Sequence, residues 1–166
     1  MQKNQKIALL GITVSVAIVL SYIEAMIPAF FTIPGVKVGL ANIAIVFVLY
    51  KLDLVSASIV SAVRLLTVFL LFGGLVPLLY SIAGAVLSLI VMYTLKKFTP
   101  FSELGVSVAG GVAHNIAQII VAIFMFSTES LIYYLPVLVL SGTVCGILIG
   151  IVSGVLIKKI KIIKVK

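Results

Sequence analysis

The stretch LIYYLPVLVLSGTVCGILIGIVSGVLI, from Leu131 to Ile157, runs for 27 residues without a charged side chain. A helix rising about 1.5 Å per residue needs roughly 20 apolar residues to cross ~30 Å of hydrocarbon, so this segment is long enough to span a bilayer. Gly142, Gly146, Gly150 and Gly154 recur within it at every fourth position and share one stripe of a helix. In lipid, helices associate by close backbone approach, and small residues permit it; the ladder therefore predicts a tight helix–helix contact. Reading outward between charges and breakers gives five more candidates. They cover about 7–27 (ending at Pro28), 36–52, 54–72 (ending at Gly73-Gly74), 75–95 (before Lys96-Lys97) and 105–126, with the quoted segment, 131–157, as the sixth. No ten-residue apolar/polar alternation occurs, which excludes membrane strands. The expected fold is all-α: a polytopic membrane protein, one domain over 1–166, built as a bundle of six transmembrane helices.

Composition agrees. Of the 166 residues, 63% are apolar and 10% charged, against about 45–50% and a quarter in soluble domains, and the mean hydropathy is +1.41. At this length surface still dominates, so a soluble fold has too little interior. Disordered chains are polar, and the single Cys145 rules out a disulfide framework. The net charge of +8 is distributed for lipid headgroups, not for nucleic acid. With the N-terminus inside, ten lysines (3, 6, 51, 96, 97, 158, 159, 161, 164 and 166) fall on the inner side and only Lys37 on the outer. The positive-inside rule then puts both termini in the cytoplasm. Lys3 and Lys6 ahead of an apolar run mimic a signal peptide, but the run is too long and lacks a small-residue cleavage site; the segment is expected to be retained. The basic tail from Lys158 to Lys166 is expected to lie along the anionic inner leaflet.

Small residues also mark the fourth span (Gly84, Ser88) and the fifth (Gly105, Ala109, Gly110, Gly111, Ala113, Ala117), where internal packing is the simplest reading. On the first span, Gly11-x-x-x-Ser15 and Ala17-x-x-x-Ser21 serve either that purpose or the docking of another membrane protein.

Polar side chains at membrane depth are costly, roughly 2.5–3.5 kcal/mol for a central arginine, and mark function by default. Arg64 lies midway along the third span. His114 and Gln118 share a face of the fifth, with Asn115 turned about 100° from them. Glu24 lies near the outer end of the first span, and Asn42 and Tyr80 lie in the outer halves of the second and fourth. Tyr133 and Tyr134 suit an aromatic belt. Below mid-depth the spans are almost purely aliphatic or small. A polar cluster confined to one leaflet suits an outward-facing pocket, whereas a channel needs polar lining through both halves. The alternative is a structural network, with Arg64 paired to Glu24 and His114 bonded to Asn115 or Asn42. The greasy connection from Pro28 to Lys37, with Phe30 and Phe31, reads equally as a lid over a ligand or as an interfacial anchor. Arg64, Lys37 and His114 against one acid favour an anion or a polar aromatic headgroup, and the aromatic residues suit a ring or an isoprenoid chain.

No GxxxxGK[ST] loop is present. One His, one Cys and four scattered acids cannot build a usual metal centre, and no acid-rich cluster exists to hold magnesium on a diphosphate. Neither catalysis by this chain alone nor a cofactor is expected.

The segments Lys37-Val-Gly-Leu-Ala-Asn42, Leu71-Phe-Gly-Gly74, Tyr80-Ser-Ile-Ala-Gly84, Gly105-Val-Ser-Val-Ala-Gly-Gly-Val-Ala-His-Asn115 and Tyr133-Tyr-Leu-Pro136 with Ser141-Gly142 resemble the bacterial Gx transporters, a family also labelled heptaprenyl diphosphate synthase component I. The chain is also similar to the substrate-binding S subunits of energy-coupling-factor (ECF) transporters. That resemblance implies a multi-pass protein of a bacterial cell membrane that captures a vitamin, flavin-like or isoprenoid/quinone precursor. It also implies a transmembrane scaffold and two ATPases as partners, with docking through Gly11, Ser15, Ala17 and Ser21. The synthase label implies instead a non-catalytic membrane partner of a prenyl-chain enzyme. An autonomous carrier is a third reading, though no inverted repeat or broken helix pair is visible.

Overall fold

The computed structural model describes residues 3–26 and 39–160, and every regular element among them is helical. These are α1 (Lys3–Met26), α2 (Asn42–Lys51), α3 (Leu54–Phe72), α4 (Leu75–Phe98), α5 (Glu103–Phe126), a 3-10 turn over Glu129–Tyr134, and α6 (Leu135–Lys159). Five helices are long and apolar enough to cross a membrane, so the chain is a multi-pass helical membrane protein. Lys37, the connection containing it and the lysines beyond Ile160 lie outside the described residues.

The second expected span differs most from the structure. Helix α2 covers only ten residues, about 15 Å of rise and half of the hydrocarbon thickness. It is also the most enclosed element: Ile45, Val46, Val48 and Leu49 are at most 2% exposed. The short apolar helix is therefore the packing centre of the bundle, touching α1, α3 and α6, and presents little surface to lipid. Gly39, with φ of +77°, starts the turn that opens it; a left-handed residue does not continue a right-handed helix.

The glycine ladder does what its spacing predicts. A Cβ on Gly142 would stand 2.8 Å from the Gly111 carbonyl oxygen, one on Gly146 2.6 Å from Val108 Cα, and one on Gly150 2.9 Å from Leu104 Cα. Helices α5 and α6 thus meet backbone to backbone, and Ser107 Oγ donates to the Gly146 carbonyl at 2.8 Å. Gly154, the last rung, has nothing within 4 Å. Gly110 makes the corresponding room for Met92 of α4.

One end of the bundle is tied by charge. Lys6 of α1 reaches Asp53 at 2.7 Å, Asp53 caps α3 by accepting from the Ser56 amide at 2.7 Å, and Lys96 of α4 donates to the Leu49 carbonyl at 2.5 Å. These lysines come from different spans yet share one end of the bundle, the one to which the charge asymmetry assigns them.

Two outcomes follow. Gly146→Ala lowers stability in thermal unfolding by about 1–3 kcal/mol, because only backbone stands in the way of the new methyl, while Gly154→Ala is neutral. The bond from Lys6, and next the Ser56 amide, hold the Asp53 carboxyl down to about 2. A depressed folded-state value means that this contribution is complete above about pH 4 and is lost as pH falls through about 2. The side chain is 46% exposed, so its worth stays under about 1 kcal/mol. Melts of the native chain and Asp53→Asn should keep a small constant offset from pH 7 to 5 and converge near pH 2.

Candidate functional site

Helix α3 buries Ala57, Val60, Ser61 and Arg64, a stripe at i, i+3, i+4 and i+7 that turns the arginine into the bundle. There it meets polar groups from four other helices. Glu24 of α1, Asn42 of α2, Arg64 and His114 of α5 line one cavity of about 120 Å³, together with Ser21, Gly39 and Ser81; Leu65 and Val68 form its apolar wall. The cavity lies at the end opposite Lys6, Asp53 and Lys96. At ~30 Å³ per water it has room for about four waters, or for one carboxylate or phosphate group.

Arg64 is 9% exposed, and its buried Nε has no hydrogen-bond partner among the described residues. Glu24 does not satisfy it. The Glu24 carboxylate accepts from the Gly39 amide at 2.5 Å, and the ion pair within 4 Å among the described residues is Lys6–Asp53. Glu24 acts on Arg64 through space while fastening the end of α1 to the turn that opens α2. Gly39 is required there twice over, by its positive φ and because a Cβ would lie 3.0 Å from Asn42 Nδ2.

His114 is set by its neighbours. Its ring lies over Gly84 of α4, where a Cβ would fall 2.6–2.7 Å from three ring atoms. Gln118 Nε2, one turn on, meets His114 Nε2 at 3.1 Å.

Other expected site residues take different places. Gln118 is buried behind His114 and does not line the cavity. Asn115 is a strut between helices, donating from Nδ2 to the Leu138 carbonyl at 2.8 Å. Tyr80 is half-buried outside the cavity, and its neighbour Ser81 takes the inward position. Lys37 lies outside the described residues. The four docking residues do not form one face. Gly11 and Ser15 are exposed, whereas Ala17 is fully buried and Ser21 lines the cavity. Six positions at about 100° each place Ala17 some 120° around the helix from Gly11, so the two pairs cannot face the same partner. Gly39 and Ser81 join the cavity without having been expected there, and Ser21, expected at a docking face, lines it instead; its i, i+3 spacing from Glu24 is the signal for that position.

Gly84→Ala should push the His114 ring off α4 and break its contact with Gln118. His114 is the sole histidine, so its side-chain nitrogen resonances report this directly, alongside a stability loss of about 1–3 kcal/mol; Gly11→Ala, with open space around it, should leave both unchanged.

No curated protein and no solved structure matches the chain. A family model described as heptaprenyl diphosphate synthase component I matches residues 13–156. The match takes in all of the cavity residues, and on its extent the chain belongs to the heptaprenyl diphosphate synthase component I family.

Proposed function

We propose that this protein is a substrate-binding membrane subunit of an ECF-type importer in a bacterial cell membrane, non-enzymatic, holding the anionic group of a small nutrient at Arg64. The observation that carries the reading is the buried Arg64 guanidinium, turned into a polar cavity with an Nε that no described residue satisfies. A guanidinium offers five donors in a fixed fork suited to carboxylate or phosphate, and Asn42, His114 and Ser81 add polar groups around the same space. Chemical energy for import would come from ATPase partners through a transmembrane scaffold. On α1 the exposed Gly11 and Ser15, flanked by the exposed Ile12, Val16 and Val19, offer the scaffold a smooth face.

A second reading is favoured by the family's own description: a membrane component of a prenyl diphosphate synthase that holds a diphosphate or its product without catalysis. The same cavity would serve it, and the partner would be a soluble synthase.

Purification in mild detergent followed by native mass spectrometry should show a retained small anion. Arg64→Ala should lose it, with affinity falling about 100-fold or more, since leaving a buried charge site unpaired costs several kcal/mol. Affinity capture of the tagged chain should bring down a membrane scaffold with ATPases; recovery of a soluble prenyl-chain synthase in their place selects the second reading.

A further inference from the structure

The polar cavity is too small for a whole nutrient, and the space beside it is not. The seam between α3 and α4 holds a groove of about 610 Å³, lined by residues from Leu54 to Leu66 on one helix and from Leu78 to Thr94 on the other. That is about 20 Å of groove at the helical rise, and its volume lies within the range of pockets that take organic ligands. Its lining is mainly aliphatic, with Ser58, Ser61, Tyr93 and Thr94 the exceptions, and Leu66, Ile82, Val86 and Ile90 on its rim are exposed.

Two observations connect this groove to the cavity. Leu65 lines both, and it also lines a third, smaller hollow at the outer end of the seam. That hollow shares Leu78 with the groove and shares Val68 and Ser81 with the cavity. The groove and the hollow therefore adjoin along the α3–α4 seam, and the cavity adjoins both from within the bundle, with Leu65 as the shared wall. Independently, Ser61 lines the groove while only 3% exposed, and its buried Oγ has no partner among the described residues.

The geometry points to an amphiphile as the ligand: an anionic group at Arg64 and a single hydrocarbon chain laid past Leu65 into the α3–α4 groove. This rests on the binding role proposed above and narrows its substrate class from small anionic nutrients in general to anions that carry a hydrocarbon chain. An anionic group on a chain is common to a free single-chain amphiphile and to a two-chain bilayer lipid; a single seam accommodates the former. The chain gains apolar contacts along the seam while the head reaches donors that the bilayer interior does not offer.

The test titrates propyl phosphate and dodecyl phosphate into the full chain in phosphatidylcholine nanodiscs, with empty nanodiscs as the partition blank. Above that blank, dodecyl phosphate should bind at least about tenfold tighter than propyl phosphate. Ala62→Phe fills the groove from an exposed position; it should abolish the advantage of the chain and leave propyl phosphate unchanged. Arg64→Gln, checked for folding by its melt, should lose both, and Arg64→Lys should recover part of each. Equal affinity for the two probes, or an Ala62→Phe variant that keeps the chain advantage, overturns the chain inference and leaves the cavity reading standing. Binding of neither probe above the blank overturns both. Complete competition by dioleoyl phosphatidate in the nanodisc overturns the single-chain ligand in favour of a bilayer lipid.

Discussion

A guanidinium held at membrane depth is the constraint around which the rest of this bundle is arranged. Water is absent from the hydrocarbon, so Arg64 must find acceptors within the protein, in a wet cavity or on a ligand. The apolar stripe of α3 fixes it inward. The nearby acid does not neutralise it by contact: Glu24 accepts from the Gly39 amide and forms no ion pair within 4 Å of the guanidinium. A structural ion pair would close the account within the protein, but here the charge is left facing a small polar space. That arrangement costs stability unless water or a ligand occupies the space, and this cost supports the binding role proposed for the cavity.

The two halves of the bundle differ in how they hold this position. On one side α5 and α6 meet backbone to backbone along the rungs of α6, and α4 joins them through the Met92 and His114 side chains seated on Gly110 and Gly84. Contacts this close leave few ways to shift, so His114 and the Asn115 strut sit on a rigid frame. On the other side α3 and α4 meet across a groove instead of a glycine seam. Any opening that admits a ligand is accommodated more readily there, since separating those helices breaks aliphatic contacts that lipid or a chain replaces.

Much of this was legible in the residues. Helix length, the stop at Gly73-Gly74, the ladder on α6 and the gathering of Glu24, Asn42, Arg64 and His114 follow from hydropathy, spacing and topology. The misses share a cause. Hydropathy measures how apolar a segment is, but not whether lipid or protein surrounds it, so α2 read as a full span when it is a short core helix. Likewise, one-helix periodicity separates faces but does not say which face meets a neighbour. Tyr80 and Ser81 differ by one position, Asn115 and His114 likewise, and only the tilt and rotation set by packing decide which member of each pair reaches the cavity. The inconsistency of Gly11 and Ser15 with Ala17 and Ser21 was in the sequence, because their angular separation is arithmetic.

The end of the bundle that carries Lys6, Asp53 and Lys96 bears on the release that the proposed function requires. Beneath the cavity stands α2, with Ile45, Val46, Val48 and Leu49 essentially closed to solvent, and below them Lys6–Asp53 and Lys96 to the Leu49 carbonyl bind three segments together. Opening a path inward through that core would expose a helix's worth of buried aliphatic surface and strip partners from the charged groups at its base. Each such side chain is worth about 1.5–3 kcal/mol when buried, so thermal fluctuation of the chain alone would populate an inward path rarely. Under the proposed function, a pocket at one end over an apolar core at the other fits release driven by a partner protein better than release by an autonomous carrier.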